Sequence, residues 1–570
     1  MNDAKALPIG ISDFSDLVKN DFQLVDKSLF IKAVMNDSAL AIVITRPSGF
    51  GRTVNLSMLK YFLLNDKQYK NLFNDLAITK DKEFCQKYQN RYPVIYLSFK
   101  NVSNKSFQNS FNDIQKIISE LYAEHDYLLQ DLSEYEAKYF TKIINKSTDK
   151  IILGHSLKYL TRYLSNKFGQ HPILLIDDYD VPFQEAYLGG YYEEMVYFMR
   201  SILGSAIKDN SFLGKAIILG TTRISANSLD SQMNNIWVAT MLSDHYSQFF
   251  GFTENEVATL IKNSNLPSIN IINIRKWYGN YHISKKKLYH PFSVIKCLNN
   301  LGKLEAYWPK ESNIDALQLF FKQTPPGLKY LFVSLLKEEP LTLKLDEGFY
   351  FPDMAQYTEE FLLLLYYNGY LQVISSELID GRTNVTLAIA NQETAKIYNE
   401  IIRELFPTIN EIVSLKELVN SLYSNVIEEF RLIFTAYMSE LEKAFISTIK
   451  PLEQVISCLI LGLTLELQAN YLVKLDYTSS HNIKMLFIPK SKGSSGIILL
   501  FSIVEIPALL EIKAQESLNI IKFSEDTQDF KQHFIQNESL SVLVVSLAFW
   551  EKQLVIISEN ISLKSKTRYK

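Results

Sequence analysis

Three cysteines in 570 residues, Cys85, Cys297 and Cys458, are too few and too widely spaced to staple a fold. A disulfide framework is excluded, no spacing supports zinc, and reduced thiols in a cytoplasmic setting are expected. Long apolar runs are also missing. The two longest, Val455 to Leu465 and Gly496 to Leu510, fall short of the roughly 18 to 20 residues that a membrane span needs, so no membrane partner is expected. The N-terminal MNDAKALPIGISDF has no basic stretch leading into an apolar core, and no secretory leader is read there. A net charge of −3 leaves no global field to attract nucleic acid or anionic lipid. Any such partner would need a local patch, and Lys285 to Lys287 reads as a solvated turn. The eight histidines show no metal-ligand spacing, and no Gly-x-Ser-x-Gly elbow occurs.

What is present is a globular composition, 47% apolar, with 33 Tyr and 35 Phe. A chain of this length is expected to form about two or three domains. From Leu40 to about Phe250 short apolar runs alternate with longer helical segments, the signature of a parallel sheet covered by helices on both faces. The expected strands are Ala41 to Thr45, Val94 to Phe99, Ile173 to Asp177 and Ala216 to Thr221. From Thr253 to Leu405 the periodicity is mainly helical, with strands at GYLQVIS and NVTLAIAN. After Pro407 a helical stretch runs to about Ser447. A helix from Pro451 to Ala469 and strands at Lys484 to Pro489, Ile497 to Val504 and Val542 to Ala548 then predict a separate C-terminal α/β domain.

The first strand runs into RPSGFGRT, Arg46 to Thr53, and then a helix. That is the layout of a phosphate-binding loop, in which glycines let backbone N–H groups converge at the positive end of a helix. Against G-x-x-x-x-G-K-[ST], Gly51 and Thr53 fit, Arg46 replaces the first glycine and Arg52 replaces the lysine. Arginine keeps the charge but is forked and planar rather than a point. Gly49 adds freedom within the loop; Arg46, Gly49, Gly51, Arg52 and Thr53 are expected to cradle the phosphates, and Thr53 could offer its hydroxyl to Mg²⁺. The strand PILLIDDYD supplies the carboxylates such a site needs: Asp177 as the Mg²⁺ partner and Asp178 as the base that polarises water. Arg223, after AIILGTT, is the candidate sensor of the phosphate. Either motif alone could be an ordinary turn or an exposed acidic loop. Together, in order and at strand ends, they point to a site for ATP and Mg²⁺.

LPIGISDFSDLVKNDFQLVDKSLFIKAV followed by ITRPSGFGRTVNLSMLKYF resembles the N-terminal signature of the AAA-ATPase-like proteins, common in bacteria, whose loop usually reads R-P-R-R-F-G-K-T. Further blocks continue the likeness: YPVIYLSFK, LLIDDYDVPF, TTRISANSLDSQMNN, YSQFFGFTENEV and LLYYNGYLQV. The family's V-D-K-[ST] element appears as Val25 to Ser28, where a structural strand and a base-contacting edge both remain open. Its W-Y-x-G-Y block appears at Trp277 to Tyr281 with the glycine moved by one, followed by Tyr289, Pro291 and Ser293. The resemblance implies a P-loop domain over 1–252, a helical adaptor over 253–406, and a connector with a PD-(D/E)XK nuclease-like, restriction-endonuclease-like α/β domain over 407–570.

Nuclease chemistry does not follow from that likeness. The expected Asp falls on Lys484, and Leu500 and Ser502 stand where Glu and Lys should. Glu453 cannot make a site alone, and Glu511 with Lys513 spells E-x-K only beyond the strand. The expectation is an ATP-binding protein with weak or lost hydrolysis and an inactive nuclease-like domain. The alternative is a non-catalytic interaction protein for a protein or nucleic-acid partner, with both sites decayed.

Overall fold

The run AIVIT is almost wholly β-branched, a composition that suits a strand buried on both faces. It forms β1 (Ala41–Thr45), and β2 (Val94–Ser98), β3 (Ile173–Asp177), β4 (Lys215–Gly220) and β5 (Ile236–Ala239) complete a sheet in the order β2-β3-β4-β1-β5. All of its pairings are parallel. β1, β3 and β4 are buried along their whole length, as a helix-flanked sheet requires. Because the strands are parallel, their C-terminal ends share one edge. Thr45 lies beside Gly220 and Ile176 beside Ile218, so the segments leaving β1, β3 and β4 are neighbours. Open α/β sheets bind ligands at this edge.

The computed structural model describes residues 5–103, 105–224, 236–264, 266, 269–284 and 286–308, then 335, 340–345, 348–355, 358–379, 382–405, 421–422, 430–431, 434 and 467, and finally 470–479, 482–491, 494–523, 541–550 and 553–562. Of the sequence expectations, the stretch from Pro407 to Ser447 and the helix from Pro451 to Ala469 lie almost entirely outside these residues. Glu453, Cys458, Lys285 and the end of the TTRISANSLDSQMNN block lie outside them too. The chain divides into two units, Met1–Pro325 with Glu338–Ile397, and Pro326–Lys337 with Tyr398–Lys570.

In the first unit the helices that matter to the site are α1 (Arg52–Leu63), α2 (Val181–Leu188), α3 (Pro291–Asn299), α4 (Thr358–Tyr367) and the start of α5 (Gln392–Leu405), whose residues up to Ile397 belong to it. The region from Thr253, read as mainly helical, also carries a hairpin of β6 (Tyr281–Ile283) and β7 (Lys286–Leu288). It further holds an antiparallel sheet ordered β8 (Leu341–Leu345), β10 (Arg382–Ile389), β9 (Leu371–Ile379). The shifted glycine of the Trp277 to Tyr281 block is accommodated simply. Asn280 takes the left-handed turn at φ 64°, a conformation asparagine tolerates, and Gly279 packs against the Arg275 backbone.

The second unit contains a sheet ordered β11 (Tyr471–Ser479), β12 (Asn482–Pro489), β13 (Gly496–Ile503), β14 (Ser541–Trp550), β15 (Gln553–Ser562). Only β13 and β14 pair in parallel, which demands a crossover, and α6 (Leu510–Phe523) begins it by packing on β14. Lys484 sits opposite Leu500, and Leu500 opposite Ser546.

Candidate functional site

The loop between β1 and α1 is shaped by two left-handed glycines, Gly49 at φ 78° and Gly51 at φ 85°. A β-carbon on Gly51 would meet open space, so glycine answers to backbone conformation there. On Gly49 it would fall 2.5 Å from His290 Cε1, so glycine there also permits close packing. Gly51 is the N-cap of α1 and no side chain caps that helix. Its first-turn amides and the positive end of its dipole remain available to an anion.

Three loops converge on this helix start. Thr53 Oγ1 donates to Asp177 Oδ2 at 2.7 Å. The Arg52 fork donates through Nη1 to Thr221 Oγ1 at 2.6 Å and through Nη2 to Asp178 Oδ1 at 2.8 Å. Asp178 itself stands at φ 52°, a sparsely populated conformation for a residue with a side chain. Burial pushes the Asp177 carboxyl up to about 6, the charge of Asp178 adds to this, and Arg52 and Thr53 oppose it. Asp180, within the same acidic run but not expected as a site residue, accepts from the Thr221 and Thr222 amides at 3.0 and 2.7 Å. Its place before Val181 and Pro182 reads as an N-cap, yet its side chain reaches across to fix the exit of β4.

The sequence expectation for Arg46 meets a different arrangement. Its side chain is fully buried, with Nη1 donating to the carbonyls of Thr45, Ala239 and Thr240 and Nη2 to that of His245. Burial lowers its pKa to about 9. Arg46 therefore clamps the end of β1 to the end of β5, and its guanidinium does not face the loop cavity. Arg223 follows β4, its carbonyl accepting from the Phe349 amide, and is not among the residues lining that cavity.

The cavity holds about 590 Å³ and lies entirely within the first unit. One end is the glycine loop with Arg52, Thr53, Asp178 and Lys100; the other is apolar, with Ile9, Ile11, Val25, Phe292 and Ile295. At the polar end the glycine loop at the start of α1 is bonded through Thr53 to the strand-end carboxylate of Asp177. Residues 8–230 match the family model described as "Predicted AAA-ATPase". The matched segment holds the loop, both carboxylates and Arg223. The chain is also similar to the "Uncharacterized protein in vnfD 5'region" of Azotobacter chroococcum mcd 1, 24% identical over 447 residues, 77% of this chain and 78% of that one. A likeness of that length extends well past residue 230.

The donor set fits a phosphate-held Mg²⁺. Among the described residues no group of three or more His, Cys, Asp and Glu side chains could hold a metal by itself. Mg²⁺ commonly takes one or two carboxylates with phosphate and water, and Thr53 with Asp177 supplies that share. Among the described residues no helix is long and apolar enough to cross a membrane.

The V-D-K-S element serves two purposes. Val25 and Lys27 line the cavity, while Asp26 accepts from the Ala77 amide at 2.7 Å and Ser28 from the Ile78 amide at 3.1 Å. Lys27 is itself held by Glu256 at 2.7 Å. No strand forms at these residues. Packed against the loop are residues that no motif singled out: His290, with Glu393 beyond it, and Trp308, which also lines the cavity.

Proposed function

We propose that the first unit binds a nucleoside triphosphate, ATP in the first instance, together with Mg²⁺. The Thr53–Asp177 hydrogen bond at 2.7 Å carries this reading, because it joins the two halves that a metal-bound phosphate must bridge. Gly49, Gly51, Arg52 and the first amides of α1 would hold the phosphates. Thr53 and Asp177 would hold the metal, and the apolar end of the cavity would receive the base. Titration of a fluorescent ATP analogue with Mg²⁺ should show binding to the wild type that Asp177→Ala removes; absent or equal binding in both would sink the reading.

Hydrolysis is proposed to be weak or lost. Arg52 Nη2 bonds the carboxylate that would have to polarise water, so Asp178 is engaged as an ion-pair partner. Arg223, outside the cavity lining, would act through movement toward the phosphates. The second unit is proposed to be a nuclease-like fold without the chemistry, since Lys484, Leu500 and Ser502 occupy the positions that need carboxylates and a lysine. The same Arg52–Asp178 pair favours a second reading, a non-catalytic scaffold for a protein or nucleic-acid partner. Phosphate release measured alongside nucleotide affinity separates them: affinity without release supports a nucleotide-sensing protein, and neither supports a scaffold.

A further inference from the structure

The back of the glycine loop is held by a buried chain of polar groups that the nucleotide-facing residues do not use. His290 is fully buried, and its ring lies 3.0 Å from the Ser48 carbonyl through Nε2. Its Nδ1 faces the Ser293 amide at 3.3 Å and the Ser293 hydroxyl at 3.1 Å. The tautomer follows from these partners. A carbonyl only accepts and an amide N–H only donates, so Nε2 carries the proton and Nδ1 is bare. Burial lowers the imidazole pKa to about 3, which keeps the ring neutral. The Ser293 hydroxyl donates in turn to Glu393 Oε1 at 3.0 Å. That oxygen also accepts from the Tyr307 and Trp308 amides at 2.8 and 3.1 Å.

The chain therefore runs from the loop carbonyl at Ser48, through His290 at the N-cap of α3, to Glu393 in the first turn of α5. The loop is closely fitted to it: a β-carbon on Gly49 would meet the His290 ring, and one on Gly369 would meet Pro47 and Trp308. Trp308 lies against the His290 ring with centroids 5.1 Å apart. Ser48 and Gly49 thus rest on a side chain that lies 242 residues further along the chain from Ser48.

We propose that His290 is a positioning residue for the phosphate loop, held in register by Ser293 and Glu393, so that the loop's shape is set by α3 and α5 as well as by its own glycines. The inference rests on the nucleotide reading only for its consequence; the mechanical link is a property of the unliganded chain.

The test uses the full-length protein with His290→Asn. Asparagine is a good N-cap and can still accept from the Ser293 amide, but its shorter side chain stops short of the Ser48 carbonyl. Hydrogen exchange without ligand should then show faster exchange of the amides of residues 48–53 while α3 keeps its protection, an effect on the loop beyond whatever a lowered melting temperature adds to every amide alike. Mg²⁺–ATP affinity should fall roughly 2- to 10-fold, the range expected for one neutral hydrogen bond. Unchanged loop exchange overturns the proposal. Faster loop exchange in a protein whose wild type binds no nucleotide upholds the positioning role and sinks the nucleotide reading instead. Should His290→Asn fail to fold, Ser293→Ala removes the hydroxyl bridge to Glu393 while keeping the amide that faces Nδ1, and should loosen the same amides to a smaller degree; unaltered exchange there overturns the proposal.

Discussion

At the scale of single residues, arginine appears at two positions of the loop motif and does two different jobs. Arg46 is spent on backbone carbonyls at 2.8 to 3.1 Å and holds β1 to β5. Arg46→Met should remove this clamp from the buried carbonyls, although that of Thr240 keeps the Ser243 amide, and cost about 2 to 4 kcal/mol, seen as a lower urea midpoint. Arg52 faces the cavity but grips Asp178. Lysine in its place has no fork with which to hold Thr221 and Asp178 together, so Arg52→Lys should raise phosphate release from a low baseline, toward the ~10²-fold that a freed base can contribute. Unchanged release would show that Asp178 is not the restrained group. Asp177 gives a pH signature with two opposite signs. Its folded pKa of about 6 lies above its ordinary 3.8, so the folded chain holds a proton that the unfolded chain has lost. This group's contribution to stability is present below the ordinary value and is lost as pH rises through about 6. Mg²⁺-dependent binding runs the other way and should weaken as pH falls through that value, because cation and proton compete. Asp177→Asn should flatten both profiles.

At the scale of elements, the site is made by strand ends rather than by one motif. Asp180 ties the exit of β4 to the start of α2 through the Thr221 and Thr222 amides. Asp180→Ala should free Thr221, the hydroxyl that seats Arg52, and cost about 1 to 3 kcal/mol in thermal or urea unfolding. β1, β3 and β4 were legible because each is a short apolar run bounded by turn residues. β5 was not expected: it has four residues, and Trp237 is 44% exposed, so no buried run marks it. The left-handed Asp178 and the Arg46 clamp were equally illegible, since both depend on partners more than a hundred residues away in sequence.

For the molecule as a whole, the two units carry separate arguments. In the second, Asp476, Lys484, Leu500 and Ser546 follow one another in register across β11 to β14, a row with one carboxylate where a nuclease site would need a pair. Incubation of the protein with DNA and Mg²⁺ or Mn²⁺ should give no metal-dependent cleavage. Glu511 is exposed on α6, so cleavage abolished by Glu511→Ala would revive a migrated site. The first unit draws on the chain from residue 48 to residue 393 to finish one loop, since Ser48 meets His290 and, through Ser293, Glu393.

The sequence by itself determined the parallel sheet, the glycine loop and the order of loop and carboxylates, because each is written in local periodicity and in residues whose backbone preference or charge is intrinsic. Only the tertiary structure decided what those residues touch. Hydrogen bonds between side chains and distant backbone are set by strand order and register, and these turn Arg46 into a clamp, pair Arg52 with Asp178, and bring His290 against the back of the loop.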